Sequence, residues 1–149
     1  MARNKGLLHV NLNVSDMHRA VRFYTEALGF VLVSDSEEAV DLGAGSEPLR
    51  QVVLTVPQTQ TILALTQASS LQVGPAGLNH LGLILESDEE VSAMLQRVQV
   101  FGGMVQKQGK RESAGISEVF AYVRDPDGYA IELATQAILY RQFSQGGPL

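Results

Sequence analysis

An internal duplication is the feature of this chain that most constrains its fold. Two stretches alternate apolar and polar residues in the same way, and each carries a histidine at the same place, His9 in the first and His80 in the second. Each stretch runs into a helical pattern that ends at a glycine. A repeated unit of this length predicts two copies of one supersecondary element, neither of which buries its apolar face alone.

Each copy has the pattern of one strand, one helix and three further strands. Ser15 and Asp16 precede the first helical pattern, and Ser87 precedes the second, so both helices have an N-cap candidate. We therefore predict an α+β fold of paired βαβββ modules that form a curved, cup-shaped mixed sheet. The modules are expected at residues 7–67 and 77–136, within a single domain of residues 1–149.

Composition and charge limit the partners of the chain. A net charge of −5 without a basic stripe argues against nucleic acid, and no apolar run is long enough to span a membrane. The chain has no cysteine and lacks the apolar run of a signal peptide, so we expect a cytoplasmic protein that acts on a small molecule. Its one basic cluster, Lys107, Lys110 and Arg111, is predicted to lie in a glycine-bearing loop.

Two sequence blocks carry a family resemblance. They run from Arg22 to Phe30, RFYTEALGF, and from Asp125 to Leu133, DPDGYAIEL. With His9 and His80 they resemble the vicinal oxygen chelate superfamily, which includes glyoxalase I, extradiol dioxygenases, fosfomycin-resistance transferases and bleomycin-sequestering proteins. The resemblance covers about residues 7–135, and it implies a metal on the floor of the cup and a homodimer.

The resemblance also implies a set of metal ligands on the first and last strands of each module. His9, His80 and Glu132 match three of these positions, and we place Leu63, which cannot ligate, at the fourth. The alternation of apolar and polar residues supports Glu132 as a ligand. Its apolar neighbours belong to the opposite face of the strand, so Glu132 points into the cup, where a carboxylate without a partner would be costly. Two imidazoles and one carboxylate favour Fe(II), while Mn(II), Zn(II) and Ni(II) are also compatible.

Other candidate residues follow from the same comparison. Tyr122 stands where ring-cleaving dioxygenases carry a tyrosine that assists catalysis, although a core role explains it equally well. Asn11 and Asn13 share the strand face of His9 and are candidates for substrate binding, or for hydrogen bonds within the cup wall. Arg141 follows Glu132 at a distance that resembles the phosphonate-binding arginine of the transferases, with a solvated charge as its alternative.

Three functional hypotheses remain open at this point. The first is a dioxygenase-like enzyme that binds a catechol or similar vicinal-oxygen compound and O₂ on Fe(II), although the histidine that such enzymes carry before the Tyr122 strand is missing. The second is a fosfomycin-type resistance transferase or a lyase or isomerase that uses a divalent metal as a Lewis acid. The third is a metal-free protein that sequesters a planar drug, as bleomycin-resistance proteins do.

Overall fold

A computed structural model describes residues 7–38, 49–71, 73–74, 77–113 and 115–135. The chain divides into two compact units, Met1–Gln72 and Val73–Leu149, each built on a four-stranded sheet. No helix in the described ranges is long and apolar enough to cross a membrane.

The first unit has the predicted order of elements. These are β1 (Val10–Val14), α1 (Met17–Arg22), β2 (Val31–Glu38), β3 (Leu49–Thr55) and β4 (Ile62–Gln67). A π-helical turn, Phe23–Ala27, extends α1. The strand order is β1-β4-β3-β2, in which β1 is parallel to β4 and the other neighbours are antiparallel. The sequence also favours a short strand at residues 39–42, between turn signals, and these residues lie outside the described ones.

The second unit repeats this topology. Its elements are β5 (Leu81–Ile84), α2 (Asp88–Val100), β6 (Met104–Ser113), β7 (Ile116–Arg124) and β8 (Ala130–Ala134). The strand order is β5-β8-β7-β6, and β5 is parallel to β8. The predicted α+β fold with a βαβββ order in each half is therefore confirmed. The sequence also suggests a short helix at residues 137–143, and these residues lie outside the described ones.

The core of the second unit lies between α2 and one face of its sheet. Ser87 begins α2, because its Oγ accepts a hydrogen bond from the Glu90 backbone N–H. The buried residues of the helix and of the faces of β7 and β8 that are turned toward it are Val91, Met94, Leu95, Val98, Ala121, Val123, Ile131 and Leu133. Side chains alternate along a strand, so Tyr122 and Glu132 point to the opposite face. We call this opposite face of the second sheet the polar face.

The basic cluster lies in a strand, so the prediction that it lies in a loop is wrong. Lys107, Lys110 and Arg111 all belong to β6, which is one of the two edge strands of its sheet. An edge strand tolerates charged residues, and lysine at an edge discourages pairing with another chain. The alternation of apolar and polar residues is therefore weak in β6, which is why the sequence pattern does not reveal the full strand.

The predicted register of β4 is wrong by one residue. Leu63 pairs with Val10 in β1, whereas Glu132 pairs with Gly82, one residue further along β5. The residue of β4 that matches Glu132 is therefore Ala64. Leu63 is 4% exposed and faces the core. Because β4 is apolar on both sides of this position, its sequence fits either register, and a slip of one residue exchanges the two faces.

Candidate functional site

His80 and Glu132 form a close pair at the polar face. His80 directly precedes β5 and Glu132 lies in β8, the neighbouring parallel strand. His80 Nε2 lies 3.1 Å from Glu132 Oε2, and the two side chains are 33% and 15% exposed. On the other side of the ring, His80 Nδ1 lies 2.7 Å from Asn79 Oδ1.

The hydrogen bond to Asn79 determines what the other ring nitrogen can do. The Asn79 oxygen only accepts, so Nδ1 of His80 donates to it and a neutral ring presents the Nε2 lone pair to Glu132. A lone pair facing a carboxylate oxygen is repulsive unless a proton or a cation lies between them. Two ligands at about 2.1 Å from one ion and at right angles are about 3.0 Å apart. The donor pair and its spacing therefore fit a divalent cation.

Arg111 connects Glu132 to a second carboxylate. Its Nη1 donates to Glu132 Oε1 at 2.7 Å, and its Nε donates to Glu118 Oε1. Glu118 is the cross-strand partner of Arg111 in β7, and its side chain is fully buried. Burial lowers the pKa of Arg111, but the hydrogen bonds that it donates to Glu118 and Glu132 outweigh this effect and hold its pKa above the ordinary value. One carboxylate oxygen of Glu132 thus accepts a hydrogen bond from Arg111, while the other faces His80.

Tyr122 lies beside this pair and lines a cleft. It pairs with Glu132 across β7 and β8, and its ring meets the His80 ring edge-on, with centroids 5.4 Å apart. Asn79, His80, Lys107 and Tyr122 are among the residues that line the cleft, which has a volume of about 820 Å³. The cleft therefore shares a phenol and an ammonium group with His80, one of the two candidate ligands.

The turn between β7 and β8 sets the position of Tyr122 against Glu132. Asp125 is buried, and its Oδ1 accepts hydrogen bonds from the backbone N–H groups of Asp127 and Tyr129 at 3.0 and 2.8 Å. Gly128 has a φ of 99°, a conformation that favours glycine. The Asp-Pro-Asp-Gly segment is therefore a hairpin turn, as Asp-Gly between two alternating segments predicts, and it fixes the register that places Glu132 opposite Tyr122.

The first unit carries its own polar residues. His9 directly precedes β1 and is exposed, so it holds the position that His80 holds in the second unit. Asn11 and Asn13 are exposed and alternate with buried apolar residues of β1, as expected. Asn11 Oδ1 accepts a hydrogen bond from Thr66 Oγ1 at 3.0 Å. Gln51, which pairs with Thr66, has a buried amide nitrogen without a hydrogen bond in the described structure.

The second unit thus brings three of the predicted site residues together, namely His80, Glu132 and Tyr122. Within residues 77–113 and 115–135, no third His, Cys, Asp or Glu side chain completes a metal-binding group with them. His9, Asn11 and Asn13 belong to the first unit, and their contribution to the site stays a prediction. Arg141 lies outside the described residues.

Sequence reasoning missed the connection of Arg111 to Glu132 and did not consider Glu118. Opposite charges flank a turn that contains Gly115, and the two side chains face each other across the hairpin of β6 and β7. Cross-strand pairs of opposite charge are a known source of sheet stability. This signal was available once β6 was recognised as a strand.

The chain has relatives among known proteins that match most of its sequence. The chain is 31% identical over 133 residues to a lactoylglutathione lyase of Salmonella typhimurium, which covers 85% of this chain and 90% of that protein. It is 30% identical over 148 residues to a lactoylglutathione lyase of Arabidopsis thaliana. That match covers 95% of this chain but 48% of the Arabidopsis protein, so the chain spans about half of that relative.

Solved structures share the fold at lower sequence identity. A glyoxalase family protein from Bacillus cereus has a TM-score of 0.73 and 19% identity, with 90% of this chain and 97% of that chain covered. A mutant of the fosfomycin resistance protein FosX from Listeria monocytogenes, complexed with Mn(II) and dihydroxypropylphosphonic acid, has a TM-score of 0.68 and 18% identity, covering 94% and 99%. The model of the Glyoxalase/Bleomycin resistance protein/Dioxygenase superfamily matches residues 6–133, and the chain therefore belongs to that superfamily.

Proposed function

We propose that this chain is a divalent-metal-dependent lyase or isomerase that acts on a small molecule with two neighbouring oxygen atoms. The observation that carries the proposal is the 3.1 Å approach of His80 Nε2 to Glu132 Oε2, which is favourable only with a proton or a cation between the two atoms. The relatives support the choice of a lyase, because proteins named lactoylglutathione lyase match most of the length of this chain.

His80 and Glu132 would hold the metal, with His9 of the first unit as the proposed third ligand. When bound, a divalent ion supplies Lewis-acid polarisation of a substrate oxygen. Mn(II), Zn(II) and Ni(II) serve this purpose, and Fe(II) is not required for it. The mutant FosX structure contains Mn(II), which makes that ion a reasonable first probe.

The protein side chains around the pair have distinct roles in this proposal. Asn79 orients the His80 ring through Nδ1, and Arg111 orients Glu132 through Oε1. Tyr122 lines the cleft, and in this proposal its hydroxyl donates a hydrogen bond to a substrate oxygen. Lys107, which lines the same cleft, supplies positive charge for an anionic part of the substrate.

A dioxygenase is the second candidate, and two observations favour it. Tyr122 contacts His80 directly, as expected of a residue that assists a bound catechol. Ala64, the structural match of Glu132 in the first sheet, cannot ligate a metal, which leaves the three-ligand set of two histidines and one glutamate. A dioxygenase additionally requires Fe(II) and O₂.

One set of assays separates these activities. The protein, loaded in turn with Mn(II), Ni(II), Zn(II) and anaerobic Fe(II), is given glutathione and methylglyoxal, from which a lyase working in its favourable direction forms lactoylglutathione, and the gain of thioester absorbance is followed. A panel of catechols with an oxygen electrode tests the second candidate. Metal-dependent thioester formation that disappears in Glu132→Gln but persists in Glu112→Gln supports the lyase. Oxygen uptake with Fe(II) alone would replace the lyase by the dioxygenase.

The remaining expectations are tested separately. Failure to bind any of the four ions would overturn both enzyme proposals and favour the metal-free drug-binding protein. The transferase alternative requires transfer of a thiol to fosfomycin in the presence of a divalent ion. A homodimer is tested by the solution mass from light scattering, and a cytoplasmic location by cell fractionation.

A further inference from the structure

A buried acid outside the proposed ligand set lies at the end of a chain of charges. Glu118 has no exposed side-chain surface, and a buried carboxylate is costly unless it is paired. Its pairing partner is Arg111, whose guanidinium also stacks over the Phe120 ring at 5.2 Å. The guanidinium fork therefore has one arm on Glu118 and another on Glu132.

The charges of these three side chains do not cancel. Glu118, Arg111 and Glu132 carry −1, +1 and −1, which leaves a net charge of −1 on the group. If Glu118 were neutral, Arg111 would cancel the charge of Glu132 and the net charge would be zero. Charge interactions are strong where side chains are shielded from water, so this difference acts directly on a cation at Glu132 Oε2.

We propose that Glu118 is a positioning residue that keeps Glu132 able to bind a cation, because it neutralises the arginine that orients Glu132. The inference rests on the proposed metal site. Glu118 acts through Arg111, since its Oε1 accepts from Arg111 Nε and its side chain is closed to solvent. The raised pKa of Arg111 agrees with a guanidinium that is held between two carboxylates.

Two variants distinguish this role from a merely structural one. Glu118→Gln keeps the size of the side chain and removes its charge, so Arg111 then cancels Glu132. The double variant Arg111→Gln/Glu118→Gln removes both charges and restores the net charge of −1, while the glutamine at position 111 keeps an amide N–H that can donate to Glu132 Oε1. Glu112→Gln is the matched control, because it removes an exposed acid from β6, the strand of Arg111, on the face opposite to Arg111.

The experiment measures the affinity of the purified chain for Mn(II) alone, from the electron paramagnetic resonance signal of the free ion, with circular dichroism as a check of folding. We expect Glu118→Gln to weaken binding by at least about tenfold, and the double variant to bind within about threefold of the wild type. Glu112→Gln should bind as the wild type does.

Each outcome has a defined meaning. The positioning role is overturned if Glu118→Gln binds Mn(II) with wild-type affinity. It is also overturned if the double variant loses as much affinity as Glu118→Gln does. In both cases the metal site itself stands. If Glu118→Gln does not fold, the double variant decides alone: binding near the wild-type level supports the role, and lost binding overturns it. A wild-type chain that binds no Mn(II), Zn(II), Ni(II) or Fe(II) overturns the metal site itself and this inference with it.

Discussion

The register of β4 makes a sharp prediction about two neighbouring residues. Leu63 is 4% exposed and pairs with Leu54, which is fully buried, so Leu63→Glu places a carboxylate in the apolar core. Loss of the leucine burial costs about 2 kcal/mol. A buried carboxylate without a partner adds several more, giving a total of about 5 kcal/mol or above. That total is comparable to the whole free energy of unfolding of an ordinary domain, which is about 5–15 kcal/mol. We therefore expect Leu63→Glu to unfold most or all of the protein.

Ala64→Glu should be better tolerated. Ala64 points to the opposite face, where Asn11 is its cross-strand partner and offers an amide N–H to a new carboxylate. We expect its loss of unfolding free energy to be smaller than that of Leu63→Glu by about 3 kcal/mol or more. Leu63→Met, which conserves volume, serves as the control and should cost less than about 1.5 kcal/mol.

Urea unfolding followed by circular dichroism measures all three variants. A Leu63→Glu protein that unfolds at the wild-type midpoint, beside an Ala64→Glu protein that does not fold, would refute the register. It would also restore Leu63 as the counterpart of Glu132.

Further predictions concern single positions. Gln51→Met removes a buried amide nitrogen without a hydrogen bond among the described residues, and should raise the free energy of unfolding by about 1 kcal/mol in thermal melts; a marked loss would reveal a partner. The hydrogen bond from the backbone N–H of Arg19 lowers the pKa of Asp16 in the folded chain. The ionised Asp16 side chain therefore stabilises α1 fully above pH 3.8, its ordinary pKa, and this stabilisation is lost as the pH falls through the lowered pKa. Asp16→Asn should therefore show a shallower loss of stability in acid, and an unchanged slope would contradict this. Tyr122→Phe should lower turnover by about ten- to a thousandfold and leave the melting temperature nearly unchanged; wild-type turnover would exclude a role for the hydroxyl.

Most of the fold follows from periodicity and duplication. Strands that alternate apolar and polar residues, such as β1 and β8, have one buried face, and the alternation fixes which residues lie on it. This is why Glu132 could be assigned to the polar face in advance, whereas the face of Tyr122 was left open. The same reasoning failed for β6, which is charged on both faces, and for β4, which is apolar on both.

The charge network around Glu132 could not be read from spacing alone. Arg111 is 21 residues from Glu132 along the chain, and their contact depends on the pairing of β6 with β7 and of β7 with β8. A sequence that gives no clear sign of β6 gives no reason to place Arg111 near the site. Once the hairpin is established, the opposed charges of Arg111 and Glu118 follow from its register.

The binding of a divalent ion by the purified chain tests the central claim most directly. Titration with Mn(II), Zn(II), Ni(II) and anaerobic Fe(II) should show about one equivalent bound per chain. His80→Ala and Glu132→Ala should each lower the affinity by at least about tenfold, because a site with so few ligands has no redundancy. Glu112→Gln should leave it unchanged. Unaltered metal content in His80→Ala would contradict the assignment of the pair as a metal site.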